Sequence, residues 1–224
     1  YWDVQDVVMA DIDRIEVIRG PGATVWGANA VNGVINIITK RASDTRGGLV
    51  NVAVGTHERP LVEARYGANI NDSADVRLYA KGFQRGAFNN QDGGDAHDAW
   101  QNQQAGFRAD WQADNRDDFM VDGRIYNGEA DMTLDLSGYL TPPYTRITEE
   151  TETFSGGHLL ARWSRQLSAT ADMTLQAYYD YTQRDMVVIE EMRDTLDAEV
   201  KHHWDAAGPH DLVWGAGVRW TSDD

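Results

Sequence analysis

From residue 48 to residue 221 the chain alternates between apolar and polar side chains, and it does so in nine separate windows. A period of two means β-strands whose two faces meet different surroundings. The windows are residues 48–55, 60–71, 74–85, 100–113, 118–130, 154–167, 173–186, 194–205 and 210–221. In the second, Val62, Ala64, Tyr66, Ala68 and Ile70 share one face, and Glu63, Arg65, Asn69 and Asn71 share the other. In the fourth, Ala105, Phe107, Ala109 and Trp111 oppose Gln104, Arg108, Asp110 and Gln112. In the last, Leu212, Trp214, Ala216, Val218 and Trp220 oppose Gly215, Gly217 and Arg219.

Alternation of this kind fits tilted membrane strands, which need about 9–11 residues. It also fits a soluble antiparallel sheet with one wet face. Two features separate these readings. Short connections (residues 72–73, 114–117, 168–172 and 206–209) interleave with long ones at 86–99 and 131–153 and an intermediate one at 187–193, although 56–59 is a short exception. Outer-membrane barrels have short turns on one side and long loops on the other. Threading the strands in that sense collects Trp111, Phe119, Trp163, Trp204 and Trp214 near the short-turn end of the apolar face, like an interfacial girdle. The polar face carries charges of both signs, among them Glu63, Arg65, Arg77, Lys81, Arg108, Asp110, Arg124 and Arg162. One such Lys or Arg facing lipid near the midplane costs about 2–4 kcal/mol, so this face belongs to a lumen.

Upstream lies a different unit. Residues 11–40 read DIDRIEVIRGPGATVWGANAVNGVINIITK. Two β-type runs, 15–18 and 34–38, flank a glycine-rich middle. Gly20, Pro21 and Gly22 signal a turn, because glycine accepts positive φ and proline presets the second turn position. Residues 23–30 have room for a short helical piece, with Gly27 and Gly33 allowing close backbone approach. Residues 41–47 turn polar and read as a hinge between two units.

This string resembles the C-terminal part of the plug domain of TonB-dependent outer-membrane receptors. The likeness rests on Ile15-Glu16-Val17-Ile18-Arg19-Gly20-Pro21, on Trp26-Gly27 where the family usually has Tyr-Gly, and on Asn32-Gly33-Val34-Ile35-Asn36-Ile37-Ile38-Thr39-Lys40. It implies an all-β fold: residues 1–41 are the end of a plug, and residues 42–224 are the first strands of a transmembrane antiparallel β-barrel. About nine of some 22 strands would be present. It further implies an active transporter for ferric siderophores, haem or cobalamin. Its partners would be a TonB-type energising protein that grips a segment upstream of Tyr1, a small-molecule metal chelate and outer-membrane lipid, and it would be no enzyme.

The resemblance assigns Arg19 to a charge cluster with barrel glutamates in later strands, while a local bridge to Glu16 or Asp13 is the plainer alternative. It places Tyr1 and Trp2 after an apical plug loop facing the ligand, or else packed within the plug. Tyr139, Tyr144 and Arg146, in the long connection 131–153, suit an anionic or aryl ligand, or a simple surface loop. Arg19, Gly20, Pro21, Gly27, Asn32 and Gly33 are the plug-motif residues. Starting at Tyr1 in mid-motif, the chain is expected to be a fragment, unable alone to insert and transport because open strand edges are costly in hydrocarbon.

Composition bounds the rest. A net charge of −16 over 224 residues argues against a nucleic-acid groove. The absence of cysteine excludes disulfides and thiolate chemistry, and no apolar run is long enough for a membrane helix. No cofactor or metal is expected. Residues 95–98 read as a solvated loop more readily than as metal ligands, and His202 and His203 point to opposite strand faces. The glycines of 20–23 lack the Lys and Ser/Thr of a phosphate loop. A passive porin-like barrel and a soluble β-rich binding module remain as alternatives.

Overall fold

The computed structural model describes residues 6–21, 30–137, 142, 144–206 and 210–224. A single-turn 3-10 helix, Met9–Asp11, leads into β1 (Ile12–Arg19), which pairs antiparallel with β2 (Gly33–Thr39) in a separate two-stranded sheet. Both strands are built of β-branched residues, with Val17 opposite Ile35 and Ile15 opposite Ile37. At the far end Gly20 adopts φ +90° and donates its N–H to the Asn32 carbonyl at 3.2 Å. An added Cβ at Gly33 would lie 2.6 Å from the Ile18 carbonyl oxygen, which explains glycine at both positions. The expected helical piece and Gly27 fall at residues outside the described ones.

A second 3-10 turn, Ala42–Thr45, leads into β3 (Gly47–Ala53). There follow β4 (Glu58–Asn71), β5 (Ala74–Arg85), β6 (Trp100–Gln112), β7 (Asp117–Ser137), β8 (Thr145–Ser168), β9 (Ala171–Met186), β10 (Ile189–Ala206) and β11 (His210–Asp223). They form one nine-stranded sheet in which every strand pairs antiparallel with its sequence neighbours. All nine alternating windows are strands.

Two connections differ from expectation. Residues 131–153 are mostly not loop: β7 and β8 continue as a ribbon, with Asp131 opposite Thr151 and Ser137 opposite Thr145. The ribbon outruns both neighbours, because the pairing of β6 with β7 stops at Trp100–Ala130 and that of β8 with β9 at Thr153–Asp185. Threonines and Ile147 favour the extended state here. Residues 187–193 likewise shrink to a two-residue turn, with Ile189 already opposite Met186.

The sheet is inside-out by soluble standards. One face exposes Val50, Tyr66, Leu78, Ile125, Leu159, Trp204 and Trp214, and the other buries Glu63, Arg77, Lys81, Asn102, Gln104 and Arg124. Here "inner" denotes the buried polar face, which residues 6–11 and 39–42 contact, and "outer" the apolar one. Near the short turns of the outer face Trp111, Phe119 and Trp163 stack in a row, with ring centroids 5.0 and 6.2 Å apart and planes within 8°. Trp163 Nε1 donates to Asp117 Oδ1 at 2.7 Å. At the other end of this face an amide ladder crosses three strands: Gln84 Nε2 donates to Gln101 Oε1, and Gln101 Nε2 to Glu129 Oε2, each at 2.9 Å.

Glycines opposite aromatic rings set the spacing of the inner face. Phe154 lies across from Gly128, Tyr126 across from Gly156, and Tyr79 across from Gly106. A Cβ at Gly128 would lie 2.4 Å from the Phe154 ring and equally close to the Gln101 carbonyl oxygen. At Gly82, on the interior strand β5, the nearest atoms are by contrast 3.8 Å away. In the whole protein, Gly128→Ala is therefore expected to destabilise by about 1–3 kcal/mol through overpacking. Gly82→Ala should be nearly neutral, as read by thermal or denaturant unfolding of the purified proteins.

Candidate functional site

Strand register writes the inner face as cross-strand rows. One row is Glu63, Lys81, Gln104, Tyr126; the next is Arg65, Tyr79, Gly106, Arg124; the third is Gly67, Arg77, Arg108, Asp122. Arg77 therefore stands directly opposite Arg108, and like charges so placed destabilise a sheet unless each finds a counter-ion. Arg108 finds one on its own strand: its Nε and Nη2 donate to the two Asp110 oxygens at 2.8 and 2.9 Å, and Nη1 reaches Thr39 Oγ1 at 3.0 Å. Arg77 finds its counter-ion off the sheet, in Asp11.

Asp11 is the hub. Its carboxylate accepts from Arg65 Nη1 and lies 3.2 Å from Arg77 Nε, with Asp11 and Arg77 only 3% and 2% exposed. Its backbone carbonyl accepts from Lys40 N–H at 2.8 Å, and its N–H closes the first 3-10 turn onto the Val8 carbonyl at 2.9 Å. One residue thus ties the turn, the small sheet and the wall together. Arg77 also donates to the Lys40 carbonyl at 3.0 Å.

Asp6 makes the second contact. Its carboxylate takes Lys81 Nζ at 2.7 Å and Gln104 Nε2 at 2.9 Å, and its carbonyl takes Arg124 Nη1 at 2.6 Å. Lys81 also lies 3.2 Å from Glu63 on the neighbouring strand. A third contact runs from the Ala42 backbone N–H to Asp110 Oδ2 at 2.7 Å. Toward the open end of the inner face, arginines lie over aromatic rings. Arg85 covers Phe83 and Trp100 at 4.5 and 4.7 Å, Arg124 covers Tyr126, and Arg184 covers Phe154. Such contacts contribute about 0.5–2 kcal/mol each. Arg184 is also ion-paired to Glu152.

The expected site residues fare differently. Tyr1, Trp2 and Tyr139 lie outside the described residues. Tyr144 and Arg146 sit exposed at the end of the β7–β8 ribbon, Tyr144 with φ +64° and Arg146 in register with Leu136. Neither makes a hydrogen bond or ion pair with the wall among the described residues. Gly20, Pro21, Asn32 and Gly33 lie at the end of the small sheet, where the hairpin bond between Gly20 and Asn32 closes it.

Arg19 is exposed, and the local bridge to Glu16 or Asp13 is not made. Arg14 takes both carboxylates, each at 2.8 Å, because it adjoins Asp13 and shares a strand face with Glu16, whereas Arg19, three residues from Glu16, falls on the opposite face. His202 and His203 do point to opposite faces. His202 Nδ1 accepts from Trp214 Nε1 at 2.7 Å, and His203 bridges Asp172 and Asp211 at 2.8 and 2.7 Å. In the 86–99 connection the Asp95 carboxylate accepts from the His97 backbone N–H, and His97 Nε2 meets Glu149 on the ribbon at 3.0 Å. Sequence reasoning passed over Asp6 and gave Asp11 no role. The available signal was a cationic wall face with too few carboxylates of its own.

Comparison with known proteins agrees with this geometry. No family model matches the chain. The vitamin B12 transporter BtuB of Vibrio cholerae is 28% identical over 195 residues, covering 81% of this chain and 30% of the relative. The ferric enterobactin receptor PirA of Pseudomonas aeruginosa is 41% identical over 61 residues, covering 27% of this chain and 8% of the relative. Among solved structures, the ferric-catecholate import receptor Fiu of E. coli K12 superposes with a TM-score of 0.77 at 12% identity, over 95% of this chain and 40% of its own. The chain thus spans less than half the length of these relatives, and its sheet is a section of a receptor-type β-barrel wall.

Two outcomes follow from the contacts. Asp11→Asn strands two buried guanidinium groups, and breaking a buried pair in this way costs about 3–5 kcal/mol. Amide hydrogens of β1 and β2 should then exchange faster by orders of magnitude in the whole protein, while those of β5 and β6 stay protected. The Glu16 carboxyl is held below the usual carboxylate range by its hydrogen bond from Arg14 and then by Asn36 Nδ2. A depressed folded value contributes stability that is present above the unfolded value and is lost as pH falls through the folded one. Arg14→Ala should move the Glu16 titration upward in NMR, back toward an ordinary glutamate.

Proposed function

We propose, from the premise that this chain belongs to the TonB-dependent outer-membrane receptors, that it forms the junction of plug and barrel in a nutrient importer of a Gram-negative outer membrane. Residues 1–41 are the end of the plug and residues 42–224 the first strands of the barrel. The observation that carries this reading is the inversion of the sheet: a charged inner face holds residues 6–11 and 39–42 by ion pairs and hydrogen bonds, and an apolar outer face is left uncovered. A soluble module would need a second sheet over Leu78, Ile125 and Leu159, all half exposed or more. A passive pore has no use for a buried ionic seat that closes it.

The outer face supports a membrane setting. On β6 the stacked ring of Trp111 and the amide ladder at Gln101 are about ten residues apart. At about 3.3 Å per residue and a tilt near 40° they span ~25 Å, the height of an outer-membrane apolar band. Trp111, Phe119 and Trp163 would then lie at one lipid headgroup level and the ladder at the other.

The work of such a receptor is binding and gated release, with no bond made or broken. A chelate binds from outside, where we place Tyr144 and Arg146, with Tyr1, Trp2 and Tyr139 as further contacts. A TonB-type protein then draws on the plug, and the contacts of Asp6 and Asp11 with the wall are those that must yield. Relatives named for vitamin B12 and for ferric enterobactin leave two ligand classes in play, a corrinoid and a ferric siderophore. The test is uptake of radiolabelled cyanocobalamin and of a ferric catecholate siderophore, by cells whose only such receptor is the whole protein containing this chain. Saturable uptake of one ligand that vanishes when the energising protein is deleted is expected. Uptake of both in linear proportion to concentration, indifferent to that deletion, would establish a passive pore instead.

A further inference from the structure

The cations that surround Asp6 and Asp11 fall into two classes. Arg108 and Lys81 have carboxylates within the wall, Asp110 and Glu63. Arg65, Arg77 and Arg124 have none in contact among the described residues, and their anionic or carbonyl partners come from residues 6, 11 and 40. A wall needing only structural neutrality could supply these three from its own strands, as it does for Arg108. Instead the neutralising groups are carried by the one part that, on the reading above, withdraws during transport.

The seat also leaves donors unpaired. The Nε atoms of Arg65, Arg77 and Arg124 are buried without a hydrogen-bond partner. Arg77 Nε is close to Asp11 Oδ2, at 3.2 Å, but too poorly aligned for a hydrogen bond. Buried guanidinium groups normally use most of their donors. Asp11 Oδ2 is likewise without a hydrogen bond, so the plug carboxylates engage this cluster incompletely, and a ligand with several anionic oxygens would engage it more fully.

We propose that Arg65, Arg77 and Arg124, with Lys81, form a transit site for an anionic ligand, and that Asp6 and Asp11 occupy it while the receptor is closed. The proposal rests on the transporter reading. When the plug moves, its carboxylates leave and the three guanidinium groups face the lumen unpaired. Carboxylate or phenolate oxygens of the passing ligand take their place, and the returning plug displaces them. The site therefore exchanges one set of anions for another and never stands empty of negative charge for long. It selects a ligand with net negative charge, in a chain whose own formal charge is −16.

The test needs no transport, so its failure is distinct from a failure of the importer reading. Citrate serves as the probe, titrated calorimetrically into the purified whole receptor. Asp6→Ala with Asp11→Ala uncovers the site and should bind citrate at least tenfold more tightly than the unaltered receptor. Adding Arg65→Gln, Arg77→Gln and Arg124→Gln should abolish that gain, and the corresponding Lys triple should keep part of it, because the charge is retained while the paired guanidinium donors are lost. Asp6→Asn with Asp11→Asn, which preserves side-chain volume, gives the same comparison should the alanine pair fail to fold. Citrate affinity unchanged by removing the plug carboxylates, or a Lys triple as weak as the Gln triple, would overturn the proposal.

Discussion

The buried contact of Asp11 with Arg65 and Arg77 is the constraint on which the rest depends. Sheet register forces Arg77 against Arg108, and a guanidinium pair at that spacing needs a carboxylate from elsewhere. The carboxylate comes from a residue whose backbone also closes the small sheet onto Lys40 and ends the first 3-10 turn. Electrostatics in the wall and geometry in the N-terminal unit are thus solved by the same side chain. Asp6 extends the arrangement along the next row, reaching Lys81, Gln104 and Arg124 on three successive strands.

Everything else about the sheet follows from what each face meets. On the inner face charged groups find partners in one another and in residues 6–11 and 39–42, so a nine-stranded sheet buries arginine and lysine more deeply than leucine. On the outer face apolar side chains need none. The aromatic row near the short turns and the amide ladder beyond the apolar residues mark where that face changes its surroundings. Glycines opposite Phe154, Tyr126 and Tyr79 leave room for rings to lie flat across a neighbouring strand.

Strand positions were legible because a period of two over many residues admits few other conformations. The window at 74–85 coincides with β5, and most others differ by a few residues. Faces were legible for the same reason, as Glu63, Arg77 and Lys81 on one side and Tyr66 and Leu78 on the other show. The β7–β8 ribbon was not, because residues 145–153 carry a single apolar side chain, Ile147, and so show no two-residue alternation. The ionic seat was harder still. Asp11 touches Arg65 and Arg77 only once the strands are laid side by side, and nothing in its immediate sequence separates it from Asp13, which meets Arg14 at an exposed site. Arg19 drew attention through its motif, yet no side-chain partner reaches it among the described residues.

The topology also implies an order of assembly. Each pairing in the nine-stranded sheet joins consecutive strands, so the wall can zip from local hairpins with little loop entropy to overcome. The seat is different: Lys81, Gln104 and Arg124 stand 75, 98 and 118 positions along the sequence from Asp6. Residues 6–11, translated before the strands they meet, are therefore among the last to find their place, and until they do the wall's arginines must be kept in water. A cell that made this wall faster than it could seat those residues would be left holding an open, positively lined hole.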